Sequence, residues 1–571
     1  MPTDTPGRSA RIIECVPNIS EGRDRAKIDA ITAVVETVEG VRLLDVDPGK
    51  ATNRTVITFV GEPEPVCEAA FLLVKKAQEL IDMRSHKGEH PRFGATDVCP
   101  LVPISGITME ELVPYVKKLG ERIGKELGIP VYNYEYAASE GKRRNLANNR
   151  AGEYEGLKKK LVDPEWKPDF GPAEFNASVA RSGAIAVGAR KLLVAYNVNL
   201  NTTSTRRANA IAFDIREAGR VLRDGDPLTG KPILDENGEP KKIPGKLKCV
   251  KGIGWFIEEY GIAELSLNLT DIDVTPMHIA FDESCKSSLE RGIRVTGSEL
   301  VGLVPKQALL DAADFFLKRQ ERSLGISERE KIKLAVKSLG LDDLAPFDPE
   351  KRVIEFLLAD AKDERLVRMD LKRFSEETAA ESPAPGGGSV AAYVGALGAA
   401  LGTMVANLSA HKRGWDERWE EFSMWAVKGE AFRNELLHLV DEDTRSFDRI
   451  MQAMQLPKDS TEQKAARKAA MNEATKGAIL VPLRTMEVCV ESMAVMKAMA
   501  ETGLKASVSD AGVGAMCART GAMGGYLNVR INCAGLDDDA WKKDVLAKAE
   551  ALKSDAERIE AEVMATTLAK V

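Results

Sequence analysis

The hydrophobic period changes once along this chain, and that change constrains the fold more than any single motif. Up to residue 358, short β-type runs alternate with helical ones; beyond it, apolar residues recur every three or four positions to the end. RIIECVPNI (11–19), VRLLDVD (41–47) and TNRTVITFVG (52–61) read as strands, interleaved with helices at 26–38 and 64–81. A strand near 96–103, a helix at 109–127 and a strand at 131–137 complete a first set. A similar order restarts at KLLVAYNVNL (191–200), with a helix at 203–221, strands at 248–258 and 262–270, and helices at 277–291 and 305–318. Two β-α-β-β-α-β layouts predict an α/β (α+β) module of two ferredoxin-like subdomains. Amphipathic runs at 415–455, 461–500, 507–533 and 537–568 predict an all-α helical bundle. The expected boundaries are 1–192 and 193–358 for the subdomains, 359–366 for a linker and 367–571 for the bundle.

A length of 571 residues leaves room for several cores, and a net charge of −7 offers no basic surface for nucleic acid. The eight cysteines are dispersed with no C-x-x-C pair, the pattern of reduced thiols in a cytoplasmic protein. MPTDTPGRSAR has no apolar core of a secretory signal. The stretch 389–409 carries no charge and is long enough to cross a bilayer, but it is built of Ala and Gly and has no second of its kind. It is read as a buried bundle helix, not a membrane span. The stretch 224–246, rich in Gly, Pro and charge, reads as an exposed excursion.

Two of only five histidines, His86 and His90, lie four apart in SHKGEHPRFGATDVCP (85–100). Gly88 between them and Pro91 after them deny the helix on which such a pair would share a metal. No third ligand or zinc-spaced Cys pair accompanies them, so no metal is expected. A turn with solvated charges and a proton-transfer site remain open, since imidazole beside Glu, Lys and Arg titrates near neutrality.

In FRNELLHLVDEDTRSFDRIMQAM the apolar stripe Phe432, Leu436, Val440, Phe447, Ile450, Met454 has one gap, and Asp443 fills it. A carboxylate on an apolar stripe is costly unless it is paired or used, and desolvation raises its pKa toward that of a proton shuttle. A structural polar contact is the alternative. Asp441 and Glu442 are read as a solvated face. The second feature is PAPGGGSVAA (383–392), where Gly386, Gly387 and Gly388 let a ligand approach backbone N–H groups and Ser389 is a candidate N-cap. It is not a P-loop, because no Gly-Lys-Ser/Thr follows.

Taken together, ECVPNISEG, LLDVDPG, TNRTVITFVG, HKGEHPRFGATDVCP, AGEYEGL, PDFGP, VGARKLL, KGIGWFIEEYGIAELSLNLTD and GSELVGLVP resemble the transferase part of the formimidoyltransferase-cyclodeaminase family. PAPGGGSVAA, LVDEDTRSFDRIMQAMQLPKD and GGYLNVRIN resemble its cyclodeaminase part, and the resemblance runs nearly the whole chain in order. It implies two consecutive steps of histidine degradation. The formimino group of N-formimino-L-glutamate passes to tetrahydrofolate, and ring closure then gives 5,10-methenyltetrahydrofolate and ammonia. It further implies tetrahydrofolate as a co-substrate with a polyglutamate tail, and a homo-oligomer.

By motif, the resemblance makes His90 the transferase acid/base and Asp443 the cyclodeaminase aspartate. Asp47, Arg92 and His86 become supporting residues. Folate binding would fall to Gly171, Pro172, Phe175 and Gly183, and to Gly386, Gly387, Gly388 and Ser389. FNASVARSGA is about three residues longer than in mammalian members, which alters individual contacts there. Arg92, Lys87 and Arg54 are candidates for the substrate carboxylates, because guanidinium binds carboxylate bidentately. Two alternatives follow from the residues. The protein could be a monofunctional glutamate formimidoyltransferase with a structural helical domain, or Cys99 could serve as a nucleophile beside His90.

Overall fold

The computed structural model describes residues 11–50, 52–88, 91–225, 230–358, 365–382 and 384–571. His90, most of the expected linker (359–364) and residues 226–229 of the excursion lie outside the described residues. The chain forms two compact units: Met1–Leu309 with Leu339–Leu357, and Leu310–Ser338 with Leu358–Val571.

In the first unit, β1 (Ile12–Cys15), β2 (Asn18–Ile19), β3 (Val41–Gly49), β4 (Arg54–Gly61), β5 (Thr96–Ser105), β6 (Val131–Glu135) and β7 (Ile185–Ala189) make one sheet. Its order is β1-β4-β2-β5-β7-β6, with β3 paired to β4; β5, β7 and β6 run parallel. Helices α1 (Arg25–Ala33), α2 (Pro63–Leu80) and α3 (Met109–Arg122) belong to this layer, and α2 and α3 supply much of one core with Ile13, Ile57, Phe59 and Leu101. The short helices α4 (Glu153–Val162) and α5 (Ala177–Ser182) lie in the segment between β6 and β7. β7 is absent from the sequence reading because IAVGA is a short, wholly buried run of small residues, which shows no alternation.

The second sheet is β8 (Val194–Leu200), β9 (Val250–Ile257), β10 (Ile262–Leu269) and β11 (Val295–Val301) in the order β9-β10-β8-β11, all antiparallel. With α6 (Thr205–Ile215) and α7 (Met277–Leu289) it has the ferredoxin-like order expected. The excursion after α6 makes two-residue ladders with exposed side chains over 231–243, as its composition predicts.

The second unit is built on α8 (Gly387–Ala410), α9 (Trp419–Met454), α10 (Thr461–Thr502), α11 (Val508–Cys533) and α12 (Asp539–Leu568). α8 is the charge-free stretch. It is the described helix long and apolar enough to cross a membrane, and most of that apolar stretch is buried against its neighbours. Its glycines allow this packing: a Cβ on Gly398 would come 2.7 Å from the Gly514 carbonyl of α11. The segment 323–325 belongs here too, through Ser323 N–H donating to His411 Nε2 (3.2 Å) and Leu324 N–H to Ser423 Oγ (2.9 Å).

Candidate active sites

In the first unit, three loops that carry quoted motifs are tied together by side chains. Ser20 donates to the Gly94 carbonyl at 2.8 Å, and Gly22 N–H donates to Asn53 Oδ1 at 3.0 Å. Asn53 Nδ2 then donates to the Lys87 carbonyl at 2.9 Å. Asn53 holds this place with φ of 48°, a conformation Asn tolerates better than most residues.

Beneath the loops, Asp97 is fully buried and accepts from Arg54 (2.5 Å), Arg150 (2.8 Å) and the Phe93 N–H (3.0 Å). Burial pushes the Asp97 carboxyl up, but Arg150 and Arg54 outweigh it and hold it below the ordinary range. Arg54 also donates through Nε to Asn18 at 2.9 Å, so it is a structural partner of Asp97 and not a spare carboxylate binder.

His86 accepts at Nδ1 from Arg92 Nε at 3.3 Å, and its Nε2 lies 3.0 Å from the Asn53 carbonyl. That pairing fixes the neutral Nε2–H tautomer. Burial lowers its pKa, partly offset by the Asn53 carbonyl, and Arg92 lowers it further. His86 therefore orients Arg92. Glu153 and Glu155 of the AGEYEGL motif close on Arg92 from the other side at 2.8–3.1 Å. An open cavity of about 460 Å³ is lined by Lys87, Gly88, Arg92, Gly152, Glu153 and Glu155.

The 171–183 segment reaches this place at one end only. A Cβ on Gly183 (φ 68°) would come 2.2 Å from the Phe93 carbonyl, and the Phe175 ring lies 6.2 Å from that of Tyr154. Gly171 (φ 82°) sits instead against the Ile129 carbonyl, with half-buried Pro172 beside it. Asp47, on β3, belongs to another group. Asp45 has its Oδ2 buried and 4.0 Å from Arg352, and Glu299 of β11 is pushed up by burial and by Asp47. Cys99 is fully buried in the core, 3.7 Å from the Cys15 sulfur, where burial raises Cys15 well above its ordinary value. That is the environment of an inert core thiol, not of a nucleophile.

In the helical unit the two features read from sequence meet. Asp443 Oδ2 accepts from the Ser389 hydroxyl at 3.0 Å, and the Ser389 N–H also bonds the carboxylate. Gly388 makes this possible: a Cβ there would lie 2.1 Å from Asp443 Oδ1. The N-cap of α8 is Gly386, with no side-chain cap of its own, and Ser389 lies inside the helix, so Asp443 serves the free N–H end from α9. Burial raises the Asp443 pKa, and the two Ser389 bonds only partly oppose it. Gly387 faces Asn528 of the GGYLNVRIN motif, its Cβ position 3.5 Å from Asn528 Nδ2.

Two expectations for this helix are corrected. Asp441 is not on a solvated face: it is buried and accepts from the Leu366 N–H (2.8 Å) and the Val367 N–H (3.2 Å), anchoring the chain as it enters the bundle. The apolar stripe also leaves the core after Val440, because Phe447 and Met454 are 47% and 44% exposed. Asp443 stands where that change occurs. Sequence reasoning also missed Asp97, Arg150, Glu153 and Glu155, whose partners are distant in the chain.

Three family patterns match in order: the formiminotransferase domain N-terminal subdomain over residues 12–190, the formiminotransferase domain over 195–359, and formiminotransferase-cyclodeaminase over 370–551. The chain is 42% identical over 548 residues to formimidoyltransferase-cyclodeaminase of Rattus norvegicus, covering 96% of this chain and 97% of that one. The chain belongs to the formimidoyltransferase-cyclodeaminase family. The Gallus gallus member is 44% identical over 558 residues, 97% of this chain and 98% of its own. Glutamate formimidoyltransferase of Streptococcus pyogenes serotype M1 is 40% identical over 312 residues, covering 55% of this chain and 95% of its own. Like the Rattus norvegicus and Gallus gallus members, and unlike the transferase of Streptococcus pyogenes, which matches only about half of it, this chain is a bifunctional enzyme. The His86–Arg92 site lies in its transferase module and the Ser389–Asp443 site in its cyclodeaminase module.

Proposed function

We propose that the first module transfers the formimino group of N-formimino-L-glutamate to N5 of tetrahydrofolate, and that the second closes the product to 5,10-methenyltetrahydrofolate. In transfer, N5 bonds to the formimino carbon and the carbon–nitrogen bond to glutamate breaks. His90, placed by its motif between Gly88 and Arg92, takes the N5 proton and returns one to the departing glutamate nitrogen. No covalent enzyme intermediate is needed, because holding both substrates together supplies much of the rate. Arg92, oriented by His86, binds carboxylate.

In ring closure, N10 attacks the same carbon and the bond to the formimino nitrogen breaks. The formimino nitrogen enters protonated, as an amidinium; Asp443 carries the N10 proton to it, and it leaves as ammonia while the methenyl cation forms. The Asp443–Ser389 pair at the glycine-rich start of α8 is the observation that carries this step. Gly386, Gly387 and Gly388 shape the pterin side of the pocket, and Phe175 and Gly183 contribute to folate binding in the transferase.

We place the enzyme in histidine degradation, in the cytoplasm, with polyglutamylated tetrahydrofolate as co-substrate. None of the eight cysteines is joined in a disulfide, in keeping with a reducing compartment. Assembly into a homo-oligomer is supported by apolar side chains that the helices leave exposed, among them Leu397, Met404 and Leu408 on α8 and Val513 and Met516 on α11. The test uses two variants. His90→Ala should lose transfer yet still close supplied 5-formimidoyltetrahydrofolate, and Asp443→Asn should do the reverse. Transfer retained by His90→Ala would overturn the assignment.

A further inference from the structure

Every N–H of the Arg92 guanidinium already has an acceptor. A guanidinium carries five. Nε–H goes to His86 Nδ1 (3.3 Å), and Nη1 donates to Glu153 Oε2 (3.1 Å) and Glu155 Oε2 (3.0 Å). Nη2 donates to Glu155 Oε1 (2.8 Å) and to the His86 carbonyl (3.4 Å). Arg92 therefore receives another carboxylate only by releasing one of these acceptors.

The acceptors differ in how easily they leave. The His86 ring is half-buried and held at its far nitrogen by Asn53, and its carbonyl is backbone. Glu153 makes a single bond, from a residue at φ 53°, and its side chain is 43% exposed. Glu155 takes the paired Nη edge with both oxygens, the end-on geometry of a bound carboxylate, and its side chain is 66% exposed against 9% for Arg92. The same two glutamates and Arg92 line the cavity.

We propose that Glu155 is a resident stand-in for a glutamate-type carboxylate, holding the paired edge of Arg92 until an incoming carboxylate exchanges with it. This rests on the transferase reading above. Exchange replaces one bidentate ion pair by another, so the guanidinium stays paired throughout and Glu155 moves into solvent. Glu155 thus sets the apparent affinity for the carboxylate ligand. That carboxylate belongs either to N-formimino-L-glutamate or to the glutamate portion of the folate. A purely orienting Glu155 would act in the opposite sense, because its removal would leave Arg92 loose.

Glu155→Gln and Glu155→Ala are compared with the full-length parent in steady-state transfer, varying each substrate in turn. The expected result is a KM lowered by about fivefold, the size of effect an exposed ion pair has. A fall for formiminoglutamate assigns the site to that substrate, and a fall for tetrahydrofolate assigns it to the folate glutamate. KM values unchanged or raised for both would overturn the proposal. Calorimetric titration with L-glutamate separates this outcome from failure of the transferase reading. Tighter glutamate binding by Glu155→Gln supports exchange even in a protein that transfers nothing, and unchanged or weaker binding there refutes it. In an Arg92→Lys background the gain should vanish; a gain that persists would also refute it.

Discussion

The Asp443 carboxylate accepts the Ser389 hydroxyl at 3.0 Å although 54 residues separate the two. One residue is the gap in an apolar stripe and the other follows a glycine run, and neither feature is specific alone. Their meeting puts a desolvated carboxylate at the N–H end of a helix, the place from which Asp443 is proposed to move a proton.

Asp443→Asn keeps the shape and removes the proton acceptor. Ring closure should fall by about 10²–10⁴-fold while transfer is unaffected. Burial raises the Asp443 pKa, so the parent enzyme should lose ring closure on the acid side at a pH above the ordinary carboxylate range. Below that value Asp443 is protonated and cannot take the N10 proton. The measurement is the pH profile of ammonia release from supplied 5-formimidoyltetrahydrofolate.

Gly388→Ala tests the same contact from the other side. Its Cβ would overlap Asp443 Oδ1 at 2.1 Å, so the carboxylate must move. Ring closure should be lost with the transferase rate intact, as product assays on each half-reaction would show.

Asp97→Asn should destabilise the transferase module by about 3–5 kcal/mol, because it leaves Arg54 and Arg150 without their buried counter-charge. The Asp97 pKa is depressed, so its contribution is present above the ordinary carboxylate range and lost as pH falls through the folded value. Urea melts of parent and variant at neutral and acidic pH should converge on the acid side.

Glu264 behaves in the opposite sense. Both its oxygens are buried without a hydrogen bond, and burial with nearby Glu299 pushes its pKa up to about 7. A raised carboxyl favours folding while protonated, so stability should decline as pH rises from its ordinary value of 4.5 to about 7. Glu264→Gln should therefore stabilise the module at pH above 8, by on the order of 3 kcal/mol at most, and change little near pH 5. Paired urea melts at the two pH values check this.

Periodicity carried much of the fold into view. The four long bundle helices after α8 were legible because a stripe repeated over many turns outweighs local ambiguity, and three strands of the second sheet were legible as β-type runs, whereas its edge strand β11 was not named. β7 was not, since a fully buried strand has no polar face to mark it. Asp443 was legible as the exception within a stripe. Asp441, two positions earlier, was misread because its partners are the backbone N–H groups of Leu366 and Val367, which no side-chain pattern announces. Asp97 and Glu155 were hidden for a related reason: their arginines lie 43 and 63 residues away, and only the fold brings them together.

The most direct test of the two-module account mixes the purified protein with N-formimino-L-glutamate and tetrahydrofolate, recording the ultraviolet spectrum and the ammonia released. The account predicts methenyltetrahydrofolate and ammonia in equal amounts. Formimidoyltetrahydrofolate accumulating without ammonia would contradict it, leaving a transferase attached to a silent bundle.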